Sequence, residues 1–137
     1  MTDVQLSEHF HSSEFDCKGT TCNCGGQGDK INPILIKLLE KLRADCGGYP
    51  IVISSGYRCP VHNAECEGSA KNSQHMHWTA ADLEIPPALS FYEFQWYVEN
   101  TLTDDGYQFD GIGLYEDSYF IHVDVRDGGR HGGWYRW

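Results

Sequence analysis

The segment 73–82, Ser-Gln-His-Met-His-Trp-Thr-Ala-Ala-Asp, places the strongest constraint on how this chain can fold. It carries His75 and, seven residues later, Asp82. An imidazole and a carboxylate together suit a divalent ion such as zinc, and such a site needs a third protein ligand. His122, in the otherwise apolar segment 119–125, is the best candidate. A metal site here requires two distant parts of the chain to meet.

Three short blocks of sequence occur in a fixed order: Ser-Gly-Tyr-Arg at 55–58, Ser-x-His with Ala-x-Asp within 73–82, and His-Val-Asp at 122–124. In this order they resemble the zinc D-Ala-D-Ala carboxypeptidase family, which cleaves peptidoglycan stem peptides and includes phage endolysin peptidases. The Hedgehog signalling domain is similar in fold and metal site. The resemblance runs from about Phe15 to the end of the chain. Trp78 stands where the family has glycine, so we expect a narrower cleft or an altered turn.

The resemblance implies roles for individual residues. Its zinc ligands correspond to His75, Asp82 and His122, with water in the fourth position. Arg58 corresponds to the arginine that binds the carboxylate of the substrate, and a guanidinium suits that task because it binds carboxylates in a bidentate manner. Ser73 and Gln74 are expected to shape the substrate side of the pocket.

The general base is left open between two acidic residues. Tyr119 stands three positions before His122, where several relatives have Glu or Asp. Glu116, six positions before His122, matches a Hedgehog-like pattern and is the favoured candidate. Asp124 lies two positions after His122, so on a strand it shares the same face. It can serve as the base or as a partner that orients a metal ligand.

Hydrophobic periodicity predicts an α+β fold with two main helices packed on a small, mainly antiparallel sheet. The resemblance implies a fold like that of Hedgehog and D,D-peptidase domains. The first helix is opened by Asn32 as N-cap and Pro33 as its first residue and ends at Gly47-Gly48, with its leucines on one face. The remaining predicted elements are a short helix or irregular segment within 5–15, a strand at 51–53, a short helix at 60–66, a strand at 80–85, a helix at 91–102 with Leu102 on its inner face, and a hairpin of strands 110–115 and 119–125.

Length and charge narrow the function further. We expect residues 1–137 to form a single peptidase domain and a monomer, with 1–30 as an N-terminal segment and cysteine-rich loop. A net charge of −10 argues against binding nucleic acid or anionic membranes. No apolar run is long enough to insert into a membrane, and the N-terminus lacks the features of a signal peptide. We therefore expect cytoplasmic synthesis and access to the cell wall through a phage holin or lysis.

Six cysteines are unusual in a chain of this size. Cys17, Cys22 and Cys24 form a tight group that, with Cys46 or a nearby histidine, can hold a second, structural metal. Reduced thiols or one disulfide are the favoured alternatives. Cys59 and Cys66, if joined by a straight helix, are too far apart for a disulfide.

Two functions remain in contention. The first is a zinc peptidase that hydrolyses peptidoglycan stem peptides, either as a D,D-carboxypeptidase or as an endopeptidase that cuts a cross-link or the L-Ala-D-Glu bond. The second is a non-catalytic, zinc-containing binding module of Hedgehog-like fold. The base candidates Glu116 and Asp124 favour the enzyme.

Overall fold

The leucine-striped segment forms the longest helix, α1 (Pro33–Asp45). The Asn32 side chain accepts a hydrogen bond from the Ile34 amide at 2.8 Å, and proline occupies the first turn, where its missing N–H costs nothing. The buried face of the helix comprises Leu35, Ile36, Leu38, Leu39 and Leu42. The structure is a computed structural model, and it describes residues 3–66, 73–130 and 135–137.

A five-stranded, mostly antiparallel sheet lies against the helices and confirms the α+β prediction. The order across the sheet is β1-β2-β4-β3-β5, and β5 alone runs parallel to its neighbour β3. The strands are β1 (Ile53–Ser55), β2 (Ala80–Glu84), β3 (Gly111–Tyr115), β4 (Phe120–Asp124) and β5 (Tyr135–Arg136). No helix in the described ranges is long and apolar enough to cross a bilayer. The assignment of residues 1–137 to one domain stays a prediction.

The register of β4 with its neighbours positions the predicted site. Asp82 on β2 lies directly opposite His122, and Gly113 on β3 lies opposite His122 on the other side. Because directly paired residues project to the same face of a sheet, the two candidate ligands face each other.

The boundaries of several elements differ from the predictions. The second long helix is α3 (Phe91–Glu99), which begins with a capping box between Ser90 and Glu93, as predicted. It ends three residues before Leu102, because the Asn100 side-chain amide donates to the Trp96 carbonyl and closes the last turn. Leu102 is half exposed, so its predicted place on the inner face was wrong.

Smaller shifts occur elsewhere. The strand predicted at 51–53 lies further along the chain, at Ile53–Ser55, because pairing with β2 starts at Ile53. Ile51 is buried ahead of this strand. The segment 5–15, predicted to be a short helix or irregular, contains one 3-10 turn, Ser12–Phe15. A second 3-10 turn follows at Gly28–Lys30. The short helix is α2 (Pro60–Glu65), one residue shorter than predicted.

Cys46 does not join the other cysteines. Its side chain is buried in the hydrophobic core beneath α1, and its thiol donates to the Arg43 carbonyl. All six cysteines are free thiols, so the predicted alternative of one disulfide was wrong. The predicted fourth metal ligand, Cys46 or a histidine, was also wrong, since Cys59 occupies that place beside Cys17, Cys22 and Cys24.

The N-terminal segment packs on the strand that leads to Arg58. The Tyr57 amide donates to the carbonyl of Phe15 at 2.8 Å, and Phe15 is fully buried. A Cβ atom on Gly56 would lie 2.5 Å from the Cα atom of Phe15. Glycine at 56 therefore allows the two backbones to approach each other.

We predict that Gly56→Ala lowers the free energy of unfolding by about 1–3 kcal/mol, because the added methyl group must push apart two backbones in a packed core. Urea denaturation followed by fluorescence measures this change. Val52→Ala is the control, because Val52 is half exposed and such truncations cost about 0.5 kcal/mol or less. Equal stability of Gly56→Ala and wild type would contradict this account of residue 56.

Candidate metal centre

The three predicted metal ligands converge. The Nε2 atom of His75 and the Nδ1 atom of His122 each lie 3.1 Å from Oδ1 of Asp82. All three side chains are buried. One ligand atom from each lies within 4.8 Å of the others, which is a spacing that one metal ion can bridge.

Separate elements deliver these side chains. His75 lies in a 3-10 turn, Gln74–His77, which has Ser73 as its N-cap. The Ser73 hydroxyl accepts a hydrogen bond from the His75 amide at 3.2 Å. Asp82 and His122 come from the centres of β2 and β4, and such rigid elements hold a site more accurately than loops do.

Each histidine is held through the nitrogen that faces away from Asp82. The Nδ1–H group of His75 donates to the Gly56 carbonyl at 2.7 Å. The Nε2 atom of His122 lies 2.8 Å from Oδ2 of Asp124, which accepts its hydrogen. A neutral imidazole with one nitrogen protonated presents a lone pair at the other. Both lone pairs therefore point at the Asp82 carboxylate, and a cation among these three acceptors satisfies all of them.

Asp124 is the partner that orients His122. Its carboxylate is fully buried and accepts a bidentate pair of hydrogen bonds from Arg126, at 3.0 Å from Nε and 2.7 Å from Nη2. Gly111 makes room for this carboxylate, since a Cβ atom there would overlap its oxygens. Arg126 was not among the sequence candidates, because its role depends on the way the chain turns after β4.

Burial and hydrogen bonding move the pKa values in opposite directions. Burial lowers the pKa of His75, which favours the neutral ring that a metal needs. Burial also disfavours charge on His122, but its bonds to Asp124 and Asp82 outweigh that effect and raise its pKa. Burial opposes ionisation of Asp82 and Asp124 as well. Hydrogen bonds that the histidines donate to Asp82 when both of their ring nitrogens are protonated hold the pKa of Asp82 well below its usual range. Hydrogen bonds from His122 and Arg126 lower the pKa of Asp124 to about 2.

Arg58 lies beside the other oxygen of the Asp82 carboxylate, Oδ2, while the two histidines lie beside Oδ1. Its Nη2 atom lies 3.6 Å from Oδ2 of Asp82, and its Nη1 atom donates to the Asn63 side chain at 3.4 Å. Its Nε–H group is buried and has no hydrogen-bond partner among the described residues. Buried donors are normally paired, so an unpaired donor beside a candidate site indicates a place for a ligand acceptor.

Gln74 and Trp78 stabilise the turn that carries His75. The Thr79 hydroxyl donates to the Gln74 side chain at 3.0 Å. Trp78 has φ of 58°, a left-handed conformation that glycine adopts at lower cost. Its indole stacks on Tyr57 with ring centroids 4.4 Å apart, and its N–H donates to the Gln27 carbonyl at 3.1 Å. The turn expected of a glycine is thus retained, and the indole packs against the N-terminal segment.

Glu116 lies apart from the cluster. It is exposed in the turn between β3 and β4, and Tyr92 donates its hydroxyl to the carboxylate at 2.6 Å. Gly113 pairs with His122, and Glu116 lies three residues further along the chain, or about 10 Å at the usual rise of a strand. The structure therefore does not bring Glu116 into contact with the three ligands. Its role as the base remains a prediction.

Trp137 is a neighbour of the site that the sequence did not reveal. Its ring centroid lies 5.1 Å from that of His122, and its indole N–H donates to the Tyr115 hydroxyl at 2.7 Å. A Cβ atom on Gly113 would lie 2.6 Å from the indole nitrogen, so glycine there admits the ring. Trp137 follows β5, a strand of two residues, which is too short to show a periodic pattern in the sequence. The sequence therefore did not indicate that the C-terminal tail returns to the sheet.

Comparison with known proteins agrees with this geometry. A model of the peptidase M15 family matches residues 8–124, most of the chain. The chain belongs to the peptidase M15 family. Membership of this family of zinc peptidases implies a metallopeptidase that acts on peptide substrates, and the His-Asp-His cluster suits its metal. A search of curated proteins found no match.

We predict that Asp124→Asn weakens zinc binding at the His75–Asp82–His122 site by about 10–100-fold, because the variant loses the charge that orients and polarises His122. Metal titration of the stripped protein measures the affinity, and the relevant binding event is the one that His122→Ala abolishes. Asp117→Asn, in the exposed turn between β3 and β4, is the matched control. Unchanged affinity in Asp124→Asn would show that Asp124 does not act through His122.

Proposed function

We propose that this M15 family member is a zinc peptidase that hydrolyses peptidoglycan stem peptides, as a D-Ala-D-Ala carboxypeptidase or a related murein endopeptidase. The observation that supports it best is the convergence of two imidazoles and a carboxylate, with the outward nitrogen of each ring already hydrogen-bonded. This arrangement would supply three protein ligands to zinc, and hydrolytic zinc sites combine three protein ligands with a water.

His75, Asp82 and His122 would hold the ion. Bound zinc supplies a Lewis acid that polarises a peptide carbonyl and lowers the pKa of a coordinated water to about 7. The protein contributes preorganisation. Asp124 and Gly56 fix the ring orientations and tautomers, so the ligand atoms need not rearrange when metal or substrate arrives.

Arg58 is the proposed anchor for the terminal carboxylate of the substrate. Its guanidinium is nine-tenths buried beside Asp82, where little solvent screens its charge. The unpaired Nε–H and the Nη2 group lie on the same edge of the guanidinium, so a carboxylate can accept both hydrogen bonds. A free-carboxylate requirement of this kind favours the carboxypeptidase over an endopeptidase.

Glu116 is the proposed general base. Asp124 is less suitable because both of its oxygens accept hydrogen bonds and its pKa of about 2 makes it a weak proton acceptor. The carboxylate of Glu116 is exposed and has the Tyr92 hydroxyl as a partner. Reaching the reacting water requires the β3–β4 turn to close over a bound substrate, since catalytic hydrogen bonds often form only in that complex.

A non-catalytic zinc-binding module is the second candidate. Two observations favour it: Tyr119 occupies the place of an acidic residue near the last ligand, and Glu116 is not in contact with the cluster. The fold and the three ligands are compatible with either function, so only turnover separates them.

We predict that the zinc-loaded protein releases fragments from purified muropeptides. His122→Ala should bind one zinc ion fewer than wild type and should not cleave them. Mass spectrometry of the products identifies the bond: loss of D-Ala indicates the carboxypeptidase, and a cross-link or L-Ala-D-Glu product indicates an endopeptidase. Glu116→Gln should keep its zinc and lose about 100-fold or more in kcat, whereas Asp117→Asn should match wild type. Bound zinc without cleavage of any muropeptide would favour the binding module.

We also predict that Arg58→Gln removes the preference for a free C-terminal carboxylate. Wild type should cleave a stem peptide ending in D-Ala-D-Ala faster than its C-terminal amide, by about 10-fold or more in kcat/KM, because a charged hydrogen-bonded pair contributes about 1.5–3 kcal/mol. The variant should treat the acid and the amide alike. Arg43→Gln on α1 is the control. If Arg58→Gln loses the same factor with both substrates, Arg58 acts by positioning Asp82 instead.

A further inference from the structure

A second group of metal-binding side chains lies outside the His-Asp-His site. The thiol of Cys17 lies 3.7 Å from that of Cys22 and 3.7 Å from that of Cys59, and Cys22 lies 3.6 Å from Cys24. The four sulfurs lie within 4.8 Å of one another. The sequence distributes them unevenly, with three in the N-terminal loop and Cys59 at the start of α2.

These distances fit a metal and not disulfides. A disulfide requires sulfurs about 2.05 Å apart and joins them in pairs. Here Cys17 and Cys22 each have two sulfur neighbours at nearly equal distance. Four thiolates at the zinc–sulfur distance of about 2.3 Å around a tetrahedron lie about 3.8 Å apart. The separations of 3.6–3.7 Å are close to that value.

The loop that carries three of the cysteines has little else to order it. No large apolar residue occurs between Phe15 and Ile31, and residues 17–27 contain no helix or strand. Burial of apolar surface therefore cannot offset the conformational entropy lost when this loop folds. A metal bound by the loop and by α2 supplies that stabilisation, because its binding free energy becomes folding free energy.

The backbone around the cluster is shaped to bring the sulfurs together. Gly25, Gly26 and Gln27 have positive φ angles of 77°, 86° and 62°, which curl the chain after Cys24. The Cys17 amide then donates to the Gly26 carbonyl at 2.8 Å and closes the loop. The His62 amide donates to the Cys59 sulfur at 3.5 Å, which caps the start of α2 and holds Cys59 in place.

We propose that these four cysteines bind a structural zinc ion that fastens the N-terminal loop to the start of α2: Cys17, Cys22, Cys24 and Cys59. Four thiolates in a tetrahedral array form a closed structural site without an open position for substrate. Zinc is the proposed ion because four cysteine thiolates are one of its usual structural ligand sets and because it undergoes no redox change. The site is independent of the peptidase activity proposed above and does not require it.

The position of Cys59 connects this ion to the neighbouring His-Asp-His site. Cys59 follows Arg58 directly, and the Arg58 amide donates to the His75 carbonyl at 3.1 Å. An ion that fixes Cys59 therefore also restrains the backbone of the proposed substrate anchor. The two metal centres are joined through one short stretch of chain, 56–59, which touches both of them.

The test counts metals in variants that separate the two sites. In His75→Ala/His122→Ala, which lacks two of the catalytic ligands, elemental analysis of protein purified under reducing conditions should find one zinc per chain. Cobalt exchanged into this variant should show the intense thiolate charge-transfer absorption that a His-Asp-His site cannot produce. Cys59→Ser should contain one zinc fewer than wild type. Cys66→Ser is the matched control and should equal wild type, because Cys66 lies outside the four-sulfur group.

Proteolysis of the wild-type chain tests whether the ion fastens the N-terminal loop to α2. This test does not require any variant to fold. Trypsin should cleave slowly after the exposed Lys18 in the zinc-loaded protein, and at least about tenfold faster after chelation releases the loop. The proposal would be overturned by any of four results: no zinc in His75→Ala/His122→Ala, iron in place of zinc, a disulfide among the four cysteines, or equal zinc in Cys59→Ser and wild type. Cleavage unaffected by chelation would overturn the fastening role.

Discussion

The pairing of β2 with β4, which sets Asp82 opposite His122, is the constraint on which the rest of the site depends. A shift of one residue would turn one of these side chains to the other face of the sheet. Alternation along β4 then directs Asp124 to the same face as His122, where it accepts the outward hydrogen of the ring. Two glycines on β3 leave space for what surrounds this pair: the Asp124 carboxylate at Gly111 and the Trp137 ring at Gly113.

The N-terminal segment contributes to the site although it provides no ligand to the His-Asp-His centre. Phe15 packs against Gly56, the carbonyl of Gly56 orients His75, and Arg58 follows two residues later. The stacking of Trp78 on Tyr57, and its bond to Gln27, attach the turn around His75 to the same segment. Residues 15–30 therefore contact the segments that position His75 and Arg58. A second ion bound among the cysteines, as proposed, would restrain those contacts.

The sequence predicted most of the fold and picked out three side chains that the structure brings together, His75, Asp82 and His122. Helix α1 was predictable because a cap, a proline and a leucine stripe all agree, and the hairpin of β3 and β4 because apolar runs flank a polar turn. The end of α3 was not, because an asparagine side chain closes the helix before the apolar pattern stops. Nor was β5, since two residues that pair with a distant strand have no periodic pattern.

Sequence alone determined the chemistry of the candidate centre: the ligand types, their order along the chain and the arginine that accompanies them are local properties of three short blocks. Only the tertiary structure decided which groups surround those ligands. The bidentate bonds from Arg126 to Asp124, the partner of Glu116, the approach of Trp137 and the choice of Cys59 over Cys46 as the fourth thiol all depend on contacts between distant segments. Such contacts follow from packing and register, which spacing along one chain does not encode.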